Sequence, residues 1–175
     1  MVGILLVGTV AFILSLSRRK RVAPEPTIEL FVKVLHIYDG DTILVKALSE
    51  NLCVRFFAID CPEGDQEWGD VATWKLQKLI LNRFVKIETH GRDIYGRTLA
   101  TLFLIDESES INVNEYMVKC GHAWVARKYY RPLSADRRRK LDKLETWART
   151  NRVGLWKNKN AIPPWEHRHR QKRAS

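Results

Sequence analysis

Two alternating apolar segments meet at one tight turn, and this hairpin restricts the topology of the chain more than any other feature. Residues 30–36 and 42–47 both read as strands, and Tyr38-Asp39-Gly40-Asp41 sets Asp-Gly where a short reversal needs it. Side chains alternate across a strand, so the turn also decides which residues of each strand face inward. Residues 53–59 supply a third strand, apolar apart from Arg55. Residues 60–69 read as a loop and 70–81 as a helix whose apolar content is Val71, Trp74, Leu76, Leu79 and Ile80. Strands over 84–88 and 98–105 follow, joined through Arg92-Asp93-Ile94-Tyr95-Gly96-Arg97. Residues 113–120 form a short helix stopped by Gly121, and 122–129 are extended. A long polar helix spans 134–150, with Ser134 as N-cap and Leu141, Leu144 and Trp147 as its apolar positions. Pro163-Pro164 is expected to close the ordered part. Five short strands with about three helices predict an α+β, mainly β domain. Its expected form is a closed five-stranded barrel of the oligonucleotide-binding (OB) type, preceded by one hydrophobic N-terminal helix.

Residues 1–17 carry no charged side chain, and Arg18, Arg19, Lys20 and Arg21 end the run abruptly. This length is at the lower limit for a bilayer-spanning helix and slightly above a usual signal-peptide apolar region. The basic residues follow the apolar run instead of preceding it, which favours an uncleaved single-pass membrane anchor over a signal peptide. The positive-inside rule then places the domain on the cytoplasmic side, whereas cleavage would make it secreted or periplasmic. Residues 18–29 form a basic, Pro-containing linker, stiffened by Ala23-Pro24-Glu25-Pro26. The domain proper is expected over 30–166, with a basic tail at 167–175.

With 45% hydrophobic and 29% charged residues, wholesale disorder is excluded. The net charge of +10 is unevenly spread: residues 127–175 hold sixteen Lys and Arg against four acids, and residues 22–126 ten against sixteen. A basic end beside an acidic middle suits polyanion attraction in one region and cation binding in the other, although a solvated helix face and tail explain the basic end equally well. The same two readings apply to Arg137-Arg138-Arg139-Lys140. Cys53, Cys61 and Cys120 have neither Cys-x-x-Cys spacing nor a Cys/His cluster, so no disulfide framework or zinc site is expected. The histidines read as structural or surface residues.

The chemistry-bearing residues gain meaning in combination. Alone, Asp39-Gly40-Asp41 is simply a good turn, and Arg55 an ordinary barrel-edge arginine. However, Asp60 and Glu63 leave the strand that contains Arg55, and Asp41 opens its neighbour. If the two strands pair, three carboxylates converge at one rim, where they repel unless cationic groups sit among them. Hard oxygen donors suit calcium or magnesium, and planar guanidinium groups such as Arg55 and Arg97 match phosphate oxygens. A structural ion-pair network is the alternative.

Asp39-Gly40-Asp41-Thr42, Arg55, Asp60-Cys61-Pro62-Glu63 and Asp93-Ile94-Tyr95-Gly96-Arg97 resemble the signature of the staphylococcal-nuclease (thermonuclease-like) family in order and interval. The similarity continues through Gly121-His122-Ala123-Trp124-Val125, Gly154-Leu155-Trp156 and Pro163-Pro164-Trp165-Glu166. The resemblance implies a calcium-dependent endonuclease acting on DNA and RNA and leaving 3′-phosphates, with magnesium or manganese left open. It implies that Asp41, Asp60 and the Cys61 carbonyl hold the metal, with Asp39 supporting it through water. Glu63 would activate the attacking water, Arg55 and Arg97 would clamp the scissile phosphate, and Tyr95 and Tyr129 would contact substrate. Three positions depart from the family pattern: Cys61, Ile94 where a lysine is known, and Arg127 where an aromatic is expected near the nucleotide. No protein partner is expected, and a monomer is. The rival readings are a barrel that only binds nucleic acid and a membrane-attached adaptor whose basic ends meet anionic lipid.

Overall fold

The computed structural model describes residues 28–106 and 109–174. The expected anchor at 1–17 lies outside the described residues. No helix among the described residues is long and apolar enough to cross a membrane.

Strands β1 (Glu29–Ile37), β2 (Thr42–Ala47) and β3 (Glu50–Phe56) form an antiparallel meander, and β5 (Phe84–Arg92) and β6 (Thr98–Ile105) continue it from the far side of β1. A parallel pairing of β3 with β6, Val54 opposite Thr98 and Arg55 opposite Leu99, closes the five strands into a barrel. Register shifts between Val34 and His36 in β1 and between Thr89 and Arg92 in β5 bend the sheet towards closure. A short β7 (Ser110–Asn112) extends the sheet beside β6, and β4 (Ile59–Asp60) pairs separately with β8 (Trp124–Val125). Alternation supplies the core: Val32, Val34, Ile43, Val45, Val54, Phe56, Val85, Ile87, Ala100 and Leu102 are essentially inaccessible. Each such Val, Ile, Leu or Phe side chain stabilises the fold by about 1.5–3 kcal/mol.

Helix α1 (Gly69–Ile80) buries Gly69, Ala72, Leu76 and Ile80, one stripe at helical spacing. Trp74 is on the other side, half exposed, with the Lys75 ammonium 4.8 Å from its ring centre. Helix α2 (Val113–Lys119) is capped by Asn112 and fastened to the barrel by buried Asn114, which donates to the Phe57 carbonyl (2.9 Å) and accepts from the Leu102 amide (3.0 Å). In α3 (Ala135–Thr150) Ser134 is the N-cap, as expected, but the inward stripe is Leu141, Glu145 and Ala148, and Trp147 stays exposed. The buried Glu145 carboxylate is compensated by the Val125 amide (2.9 Å) and Arg127 (2.8 Å), which ties α3 to β8. Where α2 ends, Gly121 meets Gly154 backbone to backbone. Both have positive φ, and a Cβ on either would lie 2.2 Å from a carbonyl oxygen of the opposite segment.

The chain does not stop at the prolines. After a 3-10 turn (Gly154–Lys157), helix α4 (Pro164–Ala174) takes in most of what reads as a basic tail. Pro164 is the first helical residue, where its missing N–H costs nothing and its fixed φ favours the helix. Glu166 in the first turn and Lys172 and Arg173 in the last complement the helix dipole. Residues 122–129 are strand only at Trp124–Val125.

Replacing Gly154 by Ala should lower stability by at least about 1–3 kcal/mol, from backbone strain and the carbonyl contact together. An unchanged urea midpoint would contradict this packing. His122 is buried and accepts at Nδ1 from the Trp68 indole (3.0 Å), and burial and then Lys75 push its pKa down to about 4. The unfolded chain therefore takes up this proton first. The His122 contribution to stability is complete above about pH 6.5 and declines as pH falls towards 4. An NMR titration of the imidazole with a midpoint near or above 6 would refute that.

Candidate active site

Asp41 is the centre of the constellation. The Asp39 carboxylate accepts the Asp41 amide (2.9 Å) and so shapes the turn from within. Gly40 lets this turn press against the β4 exit, since a Cβ there would lie 2.8 Å from that of Cys61. The Asp41 side chain is fully buried, with Oδ2 accepting the Cys61 amide (2.7 Å) and Oδ1 accepting the Thr42 hydroxyl (3.2 Å). Its charge is met by Arg55, which the β2–β3 register sets opposite Thr42. The same guanidinium pairs with Asp60, held at the rim by β4, where Asp60 lies opposite Trp124. Glu63 follows in a turn closed by Gln66, whose side chain accepts the Glu63 amide (3.0 Å) and whose own amide donates to the Glu63 carbonyl (2.9 Å). Hence Asp41, Arg55 and Asp60 form one contact set, with the partly exposed Glu63 beside it.

Arg97 immediately precedes β6, at the end of a tight turn organised by Asp93. The Asp93 Oδ1 accepts the Tyr95 and Arg97 amides (2.9 Å each), and Oδ2 accepts Arg97 Nε (2.7 Å). Burial raises the Asp93 pKa, but these hydrogen bonds and the Arg97 charge outweigh it and hold the carboxyl below its ordinary value. Arg97 touches none of Asp41, Asp60 and Glu63. Its field nevertheless reaches Asp39, whose pKa is raised by burial against the opposing pull of Arg55, Thr42 and Arg97. The structure thus brings Arg97 to the neighbourhood of the carboxylates without joining it to them.

Arg168 on α4 is the residue that sequence reasoning missed. Its guanidinium straddles Asp60, with Nη2 to Oδ2 at 2.7 Å and Nη1 to Oδ1 at 3.3 Å, and Nη1 also pairs with Glu63 Oε1. Burial pulls its pKa down, yet the bonds and charges of Asp60 and Glu63 win and raise it. The available signal was Pro164 read as a helix start instead of a stop, followed by Glu166 in the first turn.

Other expected members stand apart. Tyr95 and Tyr129 are exposed, with cations over their rings from Arg97 (5.5 Å) and Lys128 (5.5 Å), and neither bonds to the carboxylates. Cys61 meets Asp41 through its N–H, and its buried thiol donates to the Gly40 carbonyl (3.1 Å); burial pushes that thiol well up. Arg127 turns to Asp142 and Glu145 on α3. In the run 137–140, Arg137 pairs with Glu88, Arg139 with Asp136 and Lys140 with Glu115, which favours the structural reading of that face.

No group of three His, Cys, Asp or Glu residues among the described residues is arranged to hold a metal by itself. The donor chemistry still fits a hard cation. Asp41 and Asp60 converge on a single positive group, Arg55, and Glu63 and Asp60 on another, Arg168. Two carboxylates with water completing the shell suit calcium or magnesium better than a soft metal.

A family model described as staphylococcal nuclease homologue matches residues 53–158. The chain is 34% identical to a micrococcal nuclease of Shigella flexneri over 82% of its own length and 83% of the relative's. It is 34% identical to an uncharacterized endonuclease of Escherichia coli O157:H7, covering 79% and 85%, and 38% identical to Protein ParB of Escherichia coli, covering 80% of each. The closed barrel, the acid and arginine set at its rim and these similarities together show that the chain belongs to the staphylococcal nuclease homologue family.

Proposed function

We propose that this protein is a metal-dependent endonuclease that hydrolyses phosphodiester bonds in DNA and RNA. The observation that carries the proposal is the contact set of Asp41, Arg55 and Asp60 at one barrel rim, with Glu63 beside it and Arg97 within electrostatic reach of Asp39. Relatives named as nucleases support the same reading. Asp41 and Asp60 hold the divalent cation, calcium by preference, with Asp39 behind them and the Cys61 backbone adjacent. A bound cation supplies charge neutralisation for the anionic phosphate, which hydroxide attack needs before anything else. Arg55 and Arg97 grip the scissile phosphate from the opposite side and stabilise the charge that grows on its oxygens. Glu63 accepts a proton from the attacking water as the new P–O bond forms; the bond to the 5′ oxygen breaks and that oxygen takes up a proton from solvent, leaving a 3′-phosphate and a 5′-hydroxyl. Tyr95 and Tyr129, both exposed, contact neighbouring nucleotides. Residues 1–17 attach the enzyme to a membrane, a reading that rests on the sequence alone. A binding-only barrel would have no use for Asp41, Asp60, Glu63, Arg55 and Arg97 together.

Full-length protein with calcium should degrade single- and double-stranded DNA, and RNA, and chelator should abolish this. Glu63→Gln should slow cleavage by roughly 10²–10⁴-fold and Arg97→Ala by about 10²–10³-fold, with unchanged circular dichroism. Undiminished cleavage in chelator would end the metal-dependent reading, and wild-type rates in both variants would end the assignment of roles.

A further inference from the structure

The C-terminal helix raises a question that the proposed mechanism leaves open, because Arg168 occupies the groups that the mechanism needs. Both oxygens of Asp60 accept from its guanidinium, and so does Oε1 of Glu63. A carboxylate whose lone pairs are directed at a guanidinium offers fewer to a cation, and a fixed positive charge there repels a second one. Arg168 thus adds a second guanidinium beside Arg55 and competes with a cation for the oxygens of Asp60.

The way α4 is held suits a reversible contact. Of its described side chains only Pro164 is buried, and Trp165 and Arg168 remain about 40% exposed. Polar links dominate. His167 sits 3.0 Å from both oxygens of Asp65, Gln171 also bonds to Asp65, and Gln66 donates to the Ile162 carbonyl (3.1 Å) just before the helix. Apolar contact comes from the buried Pro164 and from Trp165, edge-on to Trp124 at 5.8 Å. A helix docked by partly exposed ion pairs, with little buried apolar area, belongs to the low-stability end of a fold. Arg168 is the basic residue of this helix that reaches Asp60 and Glu63, and His167 and Gln171 reach Asp65 beside them.

We propose that α4 is an autoinhibitory latch: Arg168 neutralises Asp60 and Glu63, and the divalent cation binds only as α4 releases them. The inference rests on the reading that Asp60 helps to hold the cation. Cation and guanidinium compete for one carboxylate, so each weakens the other by the same factor.

Calcium binding to the full-length protein, measured by calorimetry with calcium chloride and no nucleic acid, tests this. Arg168→Ala should tighten calcium binding about tenfold or more. Arg170→Ala, on the same helix but paired with Glu166 instead of the site carboxylates, should leave it unchanged. In the unaltered protein, calcium should speed amide hydrogen exchange across residues 164–174, a readout that needs no variant to fold. Equal or weaker affinity in Arg168→Ala, or unchanged exchange in α4, overturns the latch. If calcium binds wild type and Arg168→Ala alike and Asp60→Asn abolishes binding, the latch alone fails. If none of these proteins binds calcium, the cation reading fails and takes the latch with it.

Discussion

A fully buried aspartate, Asp41, imposes the condition that the surrounding architecture meets. A carboxylate carried out of water into a barrel wall costs several kcal/mol unless charge and hydrogen bonds replace its solvent. Here the replacement comes from three segments: the Thr42 hydroxyl on its own strand, the Cys61 amide from the β4 exit, and Arg55 from the neighbouring strand. The hairpin must therefore close tightly, β3 must pair in a register that sets Arg55 opposite Thr42, and the β4 exit must pass directly beneath Gly40. A slip of one residue would turn Arg55 to the other face and leave the charge uncompensated.

The same requirement assembles the candidate site. Arg55 reaches Asp60 from the position that Asp41 demands, so one guanidinium gathers two carboxylates from separate elements. Glu63 is held close by by the Gln66 turn, and Gln66 also reaches the segment leading into α4. Local folding rules and site geometry coincide at this rim, which is why a compact set of charges can persist there. Arg97 is positioned differently, by a turn built around Asp93, and approaches the rim through the parallel β3–β6 closure.

Most of the barrel was legible because strand alternation and the Asp-Gly turn are local signals. Residues 42–47 and 98–105 match the observed strands end to end. The convergence of Asp41, Arg55 and Asp60 was also legible, since it follows from pairing two adjacent strands. Side-chain direction was less so. Trp74 and Trp147 look like core residues by type but lie on the outer faces of their helices, and Glu145 takes an inward position because buried amide and arginine partners await it. Arg127 likewise satisfies Glu145 and Asp142 on α3, a tertiary demand invisible in its local sequence. Helix α4 was missed because two prolines read as a stop, although proline at the first helical position is equally a start. Its Arg168 contact with Asp60 spans 108 residues of sequence and has no local signature.

The account depends on Asp41 and Asp60 jointly ligating one divalent ion at this rim. The most direct measurement is a crystal structure of the protein grown with manganese, located by its anomalous scattering. The account predicts one strong peak bonded to carboxylate oxygens of both Asp41 and Asp60, with the Arg168 guanidinium drawn away from Asp60. A peak elsewhere on the protein, or none at this rim while both arginines keep their carboxylates, would contradict it.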